Sequence, residues 1–185
     1  MQMIFALAIV LSLAFRLLPP REGKRTTSLA RVHHTSSGLF SQPVDWYPWG
    51  AAAFGRAKEL DRPILLDVGA VWCPWCDLMD RDTYTNAAAA DYINQHFVAV
   101  KVDFDASPKL VAQLQRAQAI LNLPAGLPLT SFITPDGKLY FGAGYLPSKH
   151  KGDKQSFQEA ADEALARYAQ KSKIDEESFQ LEVEK

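Results

Sequence analysis

The sequence predicts an α/β fold, a three-layer α/β/α sandwich around a mixed central sheet. Two short apolar runs, at 63–69 and 97–102, are typical of buried parallel strands, and helical patterns alternate with them. Two further strand patterns, at 129–134 and 138–143, are joined by a turn and followed by an amphipathic helix. A strand–helix–strand unit is parallel and a tight turn joins antiparallel strands, so one sheet contains both arrangements.

The helices of the first half are marked by their first residues. Pro48 suits the opening turn of a helix over 48–60, because proline lacks an N–H group that this turn leaves unpaired. Asn86 can cap a second helix, and Ser107 with Pro108 opens a third. The apolar side chains of this third helix recur on one face, at Leu110, Leu114, Ala117 and Leu121.

The second half of the domain is predicted to be a hairpin and a closing helix. The hairpin turn is the sequence PDGK at 135–138, which suits an antiparallel connection. Ser156 and Glu159 form a capping box, which predicts a helix start. The apolar face of that helix contains Phe157, Ala160, Ala164, Leu165 and Tyr168. Residues 171–185 are polar, and we expect a frayed tail there.

The composition is that of one ordinary domain. The chain has 185 residues, 48% of them hydrophobic, which is enough to fill a core. The formal net charge is −1, so no global field attracts nucleic acid, and we expect no nucleic-acid partner. Residues 19–42 are rich in Pro, Arg, Thr, Ser and Gly, which predicts a linker that precedes the domain at 43–170.

The first 18 residues are apolar except for Gln2, Ser12 and Arg16. Such a segment is typical of an export signal or a short membrane anchor. We therefore expect an extracytoplasmic protein, periplasmic or secreted, with membrane association through residues 1–18 if the segment is retained. The basic residues that follow favour an alternative, since the positive-inside tendency would hold the domain at the cytoplasmic face of the membrane.

The chain has only two cysteines, Cys73 and Cys76, where a predicted strand ends and a helix begins. A disulfide between them closes a very small loop and restrains the unfolded chain little, so the pair indicates chemistry rather than cross-linking. Unpaired N–H groups at a helix N-terminus favour a thiolate at Cys73. Cys73 is therefore predicted to attack a substrate disulfide, and Cys76, one turn further, to resolve the mixed disulfide.

Two ionisable residues extend this prediction. Asp67 lies six residues before Cys73 among apolar neighbours, which indicates a buried carboxyl group with a raised pKa. Such a group could take the proton from Cys76, and Lys101 in the next predicted strand could tune it. The alternative is a carboxylate at a strand end, exposed to water.

Three segments, DVGAVWCPWC, KVDFDASP and LPLTSFITPDGK, resemble the active-site strand and motif, the next strand-to-helix turn, and the proline and hairpin of the thioredoxin family. Residues 43 to about 147 are similar to the thioredoxin-like domain of spermatogenesis-associated and DsbH-type proteins. The resemblance implies a thioredoxin-like sandwich with an exposed nucleophile at Cys73 and a buried resolving thiol at Cys76. Asp67 and Lys101 match the buried acid of thioredoxin and its lysine partner.

The same resemblance implies a substrate-binding surface around the cysteines. Trp72 matches the aromatic residue before the motif, and Pro74 and Trp75 lie within the motif. Pro128 matches the cis-proline that faces the disulfide. Leu127, which precedes it, would offer backbone hydrogen bonds to an extended substrate peptide.

The chain departs from its closer relatives beside the cysteines. They usually have polar residues such as His there, where this chain has Pro74 and Asp77, and they often lack an acid at the position of Asp67. Many are also far longer than this chain. Activities of the longer proteins are therefore not carried over.

These features predict a thiol–disulfide oxidoreductase that needs no cofactor, and Asp67 with Trp72 favours a reductase over an oxidase. Its partners would be a protein or peptide disulfide and a redox donor or acceptor protein. The alternative is a non-enzymatic binding module or chaperone, for a polypeptide or a metal. No metal site is predicted, because zinc needs four ligands and no second cysteine pair exists. Solvated or capping roles are expected for the histidines: His33, His34, His96 and His150.

Overall fold

A computed structural model describes residues 42–183, which form a six-stranded mixed sheet between two layers of helices. The strands are β1 (Trp46–Tyr47), β2 (Ile64–Gly69), β3 (Val98–Asp103), β4 (Leu129–Ile133), β5 (Lys138–Ala143) and β6 (Phe179–Gln180). The helices are α1 (Ala51–Leu60), α2 (Pro74–Met79), α3 (Ala87–His96), α4 (Pro108–Leu121), α5 (Phe157–Tyr168) and α6 (Lys171–Glu176). Directly after α2 the chain forms a π-helical turn, Asp80–Tyr84.

The strand order confirms the mixed sheet. The order is β1-β3-β2-β4-β5-β6, in which β1, β3 and β2 run parallel. β4 is antiparallel to β2, and β5 and β6 are each antiparallel to the preceding strand. In this register Asp67 of β2 lies opposite Lys101 of β3 on one side and opposite Thr130 of β4 on the other. The central strand therefore brings the predicted acid and the predicted lysine together.

The two faces of the sheet have separate cores. Alternate residues of a strand point to opposite faces. Ile64, Leu66 and Val68 of β2 belong to the core that includes α1 and α4, whereas Leu65 belongs to the core that includes α3 and α5. Asp67 and Gly69 follow Leu65 in the same alternation, so they lie on its side of the sheet.

The helix starts that the capping residues predict are present in the structure. Asn86 accepts a hydrogen bond from the Ala89 N–H group at 3.1 Å, and Ser156 with Glu159 forms the complete capping box. Ser107 precedes α4, but its side chain makes no capping hydrogen bond. Caps of this kind contribute about 1 kcal/mol each. The predicted helices α3, α4 and α5 are confirmed, and so is the β4–β5 hairpin.

The segment before α1 differs from the prediction. α1 begins at Ala51 rather than at 48, because Gly50 is its N-cap residue and has a φ of +144°. Such a positive φ is open mainly to glycine, which has no Cβ. Trp46 and Tyr47 form the two-residue strand β1, which the sequence pattern does not predict. A strand this short has too few residues for its alternation to be recognised.

The prediction of a frayed tail over 171–185 is wrong for residues 171–183, which the structure describes. Residues 171–176 form α6, and β6 pairs with β5 so that Phe179 lies opposite Leu139. The side chains of Ile174 and Leu181 are buried in the two cores. Single apolar side chains in a charged segment give no periodic pattern, so this docking is decided by tertiary contact.

Several predictions fall outside residues 42–183. The proposed signal or anchor at 1–18 does so, as does the linker at 19–42 apart from its last residue, and His33 and His34 lie in that linker. Within the part of the chain that the structure describes, no helix has the length and apolar character needed to cross a bilayer.

Candidate active site

The two cysteines stand at the junction between β2 and α2. Cys73 is the N-cap residue of α2, and Pro74 follows it in the first turn. The Sγ atoms of Cys73 and Cys76 form a disulfide, with the two Cα atoms 5.3 Å apart. The Cys76 N–H group donates to the Cys73 Sγ atom at 3.2 Å. After reduction, this donor and the start of the helix would both favour the Cys73 thiolate.

The expected contrast between an exposed Cys73 and a buried Cys76 is absent from the disulfide form. The exposed fractions of the two residues are 5% and 6%, so both are buried. They form a small cluster with Ala70, and Phe104 and Leu127 pack against it. The apolar neighbours therefore cover both sulfur atoms while they are bonded to each other.

The rim of the site is apolar and exposed. Among residues 42–183, the large exposed apolar side chains are Val71, Trp72, Trp75, Leu78 and Ile120, and all except Ile120 lie within or beside the cysteine motif. Pro74 is exposed as well. An apolar surface concentrated around a reactive pair is typical of a site that binds another molecule.

The two tryptophans are held in place by different partners. The Trp72 Nε1–H group donates to Asp105 Oδ2 at 2.8 Å, and its ring packs edge-on against Phe104. The Trp75 ring packs on Tyr145 with the ring centroids 5.1 Å apart, and the Lys154 Nζ atom lies 5.6 Å from its centroid. Both rings remain more than half exposed, so each presents apolar surface beside the cysteines while its contacts hold it in place.

The loop before β4 lies across from the disulfide. The peptide bond between Leu127 and Pro128 is cis. The Leu127 side chain packs against the cysteine cluster, whereas Pro128 is buried. Of the predicted substrate-binding set, Trp72, Pro74 and Trp75 are exposed beside or between the cysteines, Leu127 packs against the cysteines, and Pro128 is buried.

Asp67 is buried rather than exposed at a strand end, with an exposed fraction of 3%. Its Oδ2 atom lies 3.2 Å from the Lys101 Nζ atom, and Lys101 is also buried. The Oδ1 atom of Asp67 has no hydrogen-bond partner among residues 42–183. Burial raises the pKa of Asp67; the Lys101 charge opposes this, and the Asp80 charge adds to it.

Two members of this buried cluster, Asp80 and Tyr84, are not predicted from the sequence. The Lys101 ammonium group donates a hydrogen bond to Asp80, and it lies 4.8 Å from the ring centroids of Tyr84 and Trp46. Burial raises the pKa of Tyr84 well above its usual value, so its phenol stays neutral. The available signal was the spacing of Asp80, which is four residues after Cys76 and so about one helical turn along the same side.

The histidines of the described chain lie outside the redox site. The His96 ring packs on Tyr92 at the end of α3. The His150 Nδ1 atom contacts the Glu159 carboxylate at 3.0 Å, and that contact raises the pKa of His150. Within residues 42–183, no three His, Cys, Asp or Glu side chains converge as a metal-binding group.

Comparisons with known proteins give one family match and several relatives. The model of the Thioredox_DsbH family, described as a protein of unknown function, DUF255, matches residues 33–183. The chain is 40% identical over 108 residues to the uncharacterized protein B0495.5 of Caenorhabditis elegans, which covers 58% of this chain and 15% of that protein. It is 33% identical over 119 residues to human spermatogenesis-associated protein 20, which covers 63% of this chain and 15% of that protein.

The chain therefore spans about a seventh of the length of these curated relatives. Among solved structures it is similar to one described as DsbH oxidoreductase, with 22% identity and a TM-score of 0.45 over 70% of this chain and 82% of that chain. At that identity the likeness concerns the fold alone.

Proposed function

Because this chain belongs to the Thioredox_DsbH family, we propose that it is a thiol–disulfide oxidoreductase that acts on disulfides of proteins or peptides. The observation that supports this most directly is the Cys73–Cys76 disulfide at the start of α2, with Leu127 packed against it. A disulfide between residues this close adds little to stability, so its use is chemical. The exposed apolar rim gives an incoming polypeptide a surface to bind.

The proposed reaction has two exchange steps. In the first, the Cys73 thiolate attacks the substrate disulfide, a mixed disulfide forms, and one substrate thiolate leaves. In the second, Cys76 gives up its proton and attacks the Cys73 Sγ atom. The Cys73–Cys76 bond forms, the bond to the substrate breaks, and the second substrate thiolate leaves. A redox donor protein then returns the pair to its dithiol form.

We propose reduction as the usual direction. The buried Asp67 carboxyl group, whose pKa is raised, can accept the proton that Cys76 must lose in the second step. A reduction potential near that of thioredoxin, about −270 mV, would agree with this direction. A value near about −120 mV, typical of a strong oxidant, would contradict it. If residues 1–18 export the chain, the reaction takes place outside the cytoplasm; if they stay in the bilayer with the basic residues inside, it takes place at the cytoplasmic face of the membrane.

The decisive experiment is turnover by the full chain. We expect it to catalyse insulin reduction by dithiothreitol and to exchange with glutathione, while the variant with both Cys73→Ser and Cys76→Ser does neither. A chain that binds an unfolded polypeptide but exchanges no disulfide would instead be the binding module of the alternative hypothesis. Equal binding by the double variant would support that alternative further, because it would separate binding from the thiols.

Trp75 is expected to bind substrate without taking part in the chemistry. For Trp75→Ala we expect the KM for a peptide disulfide to rise about fivefold to thirtyfold with little change in kcat, which corresponds to about 1–2 kcal/mol of lost ring contact. The matched control is Ile120→Ala, because Ile120 is 60% exposed on α4, outside the rim. A KM that changes equally in both variants would exclude a binding role for Trp75.

A further inference from the structure

We propose that Asp80 is a positioning residue of the redox site, which holds the Lys101 ammonium group and so leaves Asp67 as the carboxyl group that exchanges a proton with Cys76. This inference rests on the proposed function and adds a residue to it. It starts from the cluster of one buried cation and two buried carboxyl groups described above.

The π-helical turn brings Asp80 to this cluster. α2 ends at Met79, and the next five residues form the turn, in which Asp80 and Tyr84 are buried and Arg81 is exposed. Single π-helical turns occur frequently at functional sites. The turn therefore directs an acid and a phenol inward directly after the motif that contains the thiols.

Lys101 is shared unequally between the two acids. Its ammonium group donates a hydrogen bond to Asp80 and lies 3.2 Å from the Oδ2 atom of Asp67. All three side chains are only 4% exposed. One ammonium group compensates one buried carboxylate, and a second charge left in an apolar interior is costly. The pair Asp80–Lys101 is thus neutral as a unit, and Asp67 is the group that can bind and release a proton.

The surroundings of the Asp67 carboxyl oxygens agree with a role in proton exchange. Its Oδ1 atom is buried without a hydrogen-bond partner in the described chain. The neighbouring Tyr84 hydroxyl can donate to an ionised carboxylate and accept from a protonated carboxyl group, so the site suits both states that a proton exchange requires. The titratable groups around Asp67 are Lys101 from β3, Asp80 and Tyr84 from the π-helical turn, and Cys76 from α2. The Asp67 carboxyl group therefore lies beside the Asp80–Lys101 ion pair, on the side of β2 over which Cys76 packs at Gly69.

Cys76 lies on the same side of β2 as the Asp67 carboxyl group. Asp67 and Gly69 face the same side of β2, about 6.6 Å apart along the strand. A Cβ atom added at Gly69 would lie 3.6 Å from the Cys76 Sγ atom, so the sulfur stands directly over that glycine. In acid–base catalysis a proton can pass between two groups directly or through one bridging water molecule. The proton moves from the Cys76 thiol to the Asp67 carboxylate as the sulfur attacks, and back when the disulfide is reduced.

The test is Asp80→Asn in the full chain, which keeps the shape of the side chain and removes its charge. Lys101 would then pair with Asp67, so we expect the Asp67 titration, followed by NMR of its carboxyl carbon in the reduced protein, to move down by at least one pH unit, a tenfold change in the proton equilibrium. The pH profile of the Cys76 resolving step should move in the same direction, and Asp80→Glu should restore both.

The matched control is Asp82→Asn, which removes a carboxylate of the same turn that bonds to Ser148 rather than to Lys101. We expect it to leave the Asp67 titration unchanged. An Asp67 titration that stays in place in Asp80→Asn, or that moves equally in Asp82→Asn, would overturn the proposal. If Asp80→Asn does not fold, the unmutated protein decides, because the proposal requires the Asp67 carboxyl carbon to change its shift over the same pH range in which the Cys76 resolving step changes its rate.

The NMR measurement requires no turnover. A chain without exchange activity in which Asp67 titrates as expected would contradict the proposed function and leave the electrostatic role of Asp80 standing. If the chain is active but the Asp67 titration does not move in Asp80→Asn, only the role of Asp80 is contradicted. The two failures are therefore distinguishable.

Discussion

The Cys76→Ser variant is expected to accumulate a mixed disulfide between Cys73 and its substrate. The serine hydroxyl cannot act as the resolving thiol, so the first exchange takes place and the second does not. Mass spectrometry of the full chain mixed with a peptide disulfide should detect the adduct, and dithiothreitol should release it. Steady-state exchange should fall by at least about 10³-fold, because a nucleophilic group is absent from the cycle.

The companion variant Cys73→Ser separates the roles of the two thiols. It retains Cys76, which lies inside α2 rather than at the helix start that favours the Cys73 thiolate, so we expect neither an adduct nor exchange. An adduct that forms equally through Cys76 in this variant would show that the assigned order of attack is wrong. The comparison is needed because both sulfur atoms are equally buried in the disulfide form.

Lys101→Met is expected to lower the free energy of unfolding by about 3–5 kcal/mol at pH 8, since it leaves two buried carboxyl groups without their cation. The loss should be smaller at pH 5, because a lower pH favours the protonated, uncharged form of Asp67, whose pKa burial raises. The direction of this pH dependence follows from burial, which raises the pKa of Asp67. A raised pKa gives a stabilising contribution that is complete below the unfolded value, about 3.9, and is lost as the pH rises through the folded value.

Urea unfolding at the two pH values measures this effect. Lys109→Met is the matched control, because Lys109 is exposed in the first turn of α4 and its replacement should change the free energy by no more than about 0.5 kcal/mol. Adding Asp80→Leu to Lys101→Met should recover part of the loss, because it removes one of the two buried carboxyl groups that the first substitution leaves without a cation. A loss independent of pH would indicate lost packing rather than lost charge.

The elements that the sequence predicts correctly are those with a repeating or local cause. The buried strands β2 and β3 are nearly continuous apolar runs, and the hydrogen bonds of Asn86 and Ser156 depend only on residues three positions away. The Cys73–Cys76 pair, with its helix start, is likewise a local feature. Such features can be predicted because they need no knowledge of the distant chain.

The missed features depend on contacts between distant segments. Asp80 meets Lys101 across 21 residues, and only the topology of the sheet and the π-helical turn bring them together. Ile174 and Leu181 are single apolar side chains whose burial depends on where α6 and β6 dock. The burial of Cys73 depends in the same way on Leu127, which is far away in sequence.

Both outer strands of the sheet in residues 42–183, β1 and β6, are only two residues long. Long unpaired edges invite other chains to add strands, and natural proteins shorten such edges to prevent this. Under the proposed function, the apolar rim would meet many extended segments. Each outer strand gives such a segment only two residues to pair with, so a client would be held mainly by its side chains and its sulfur atoms.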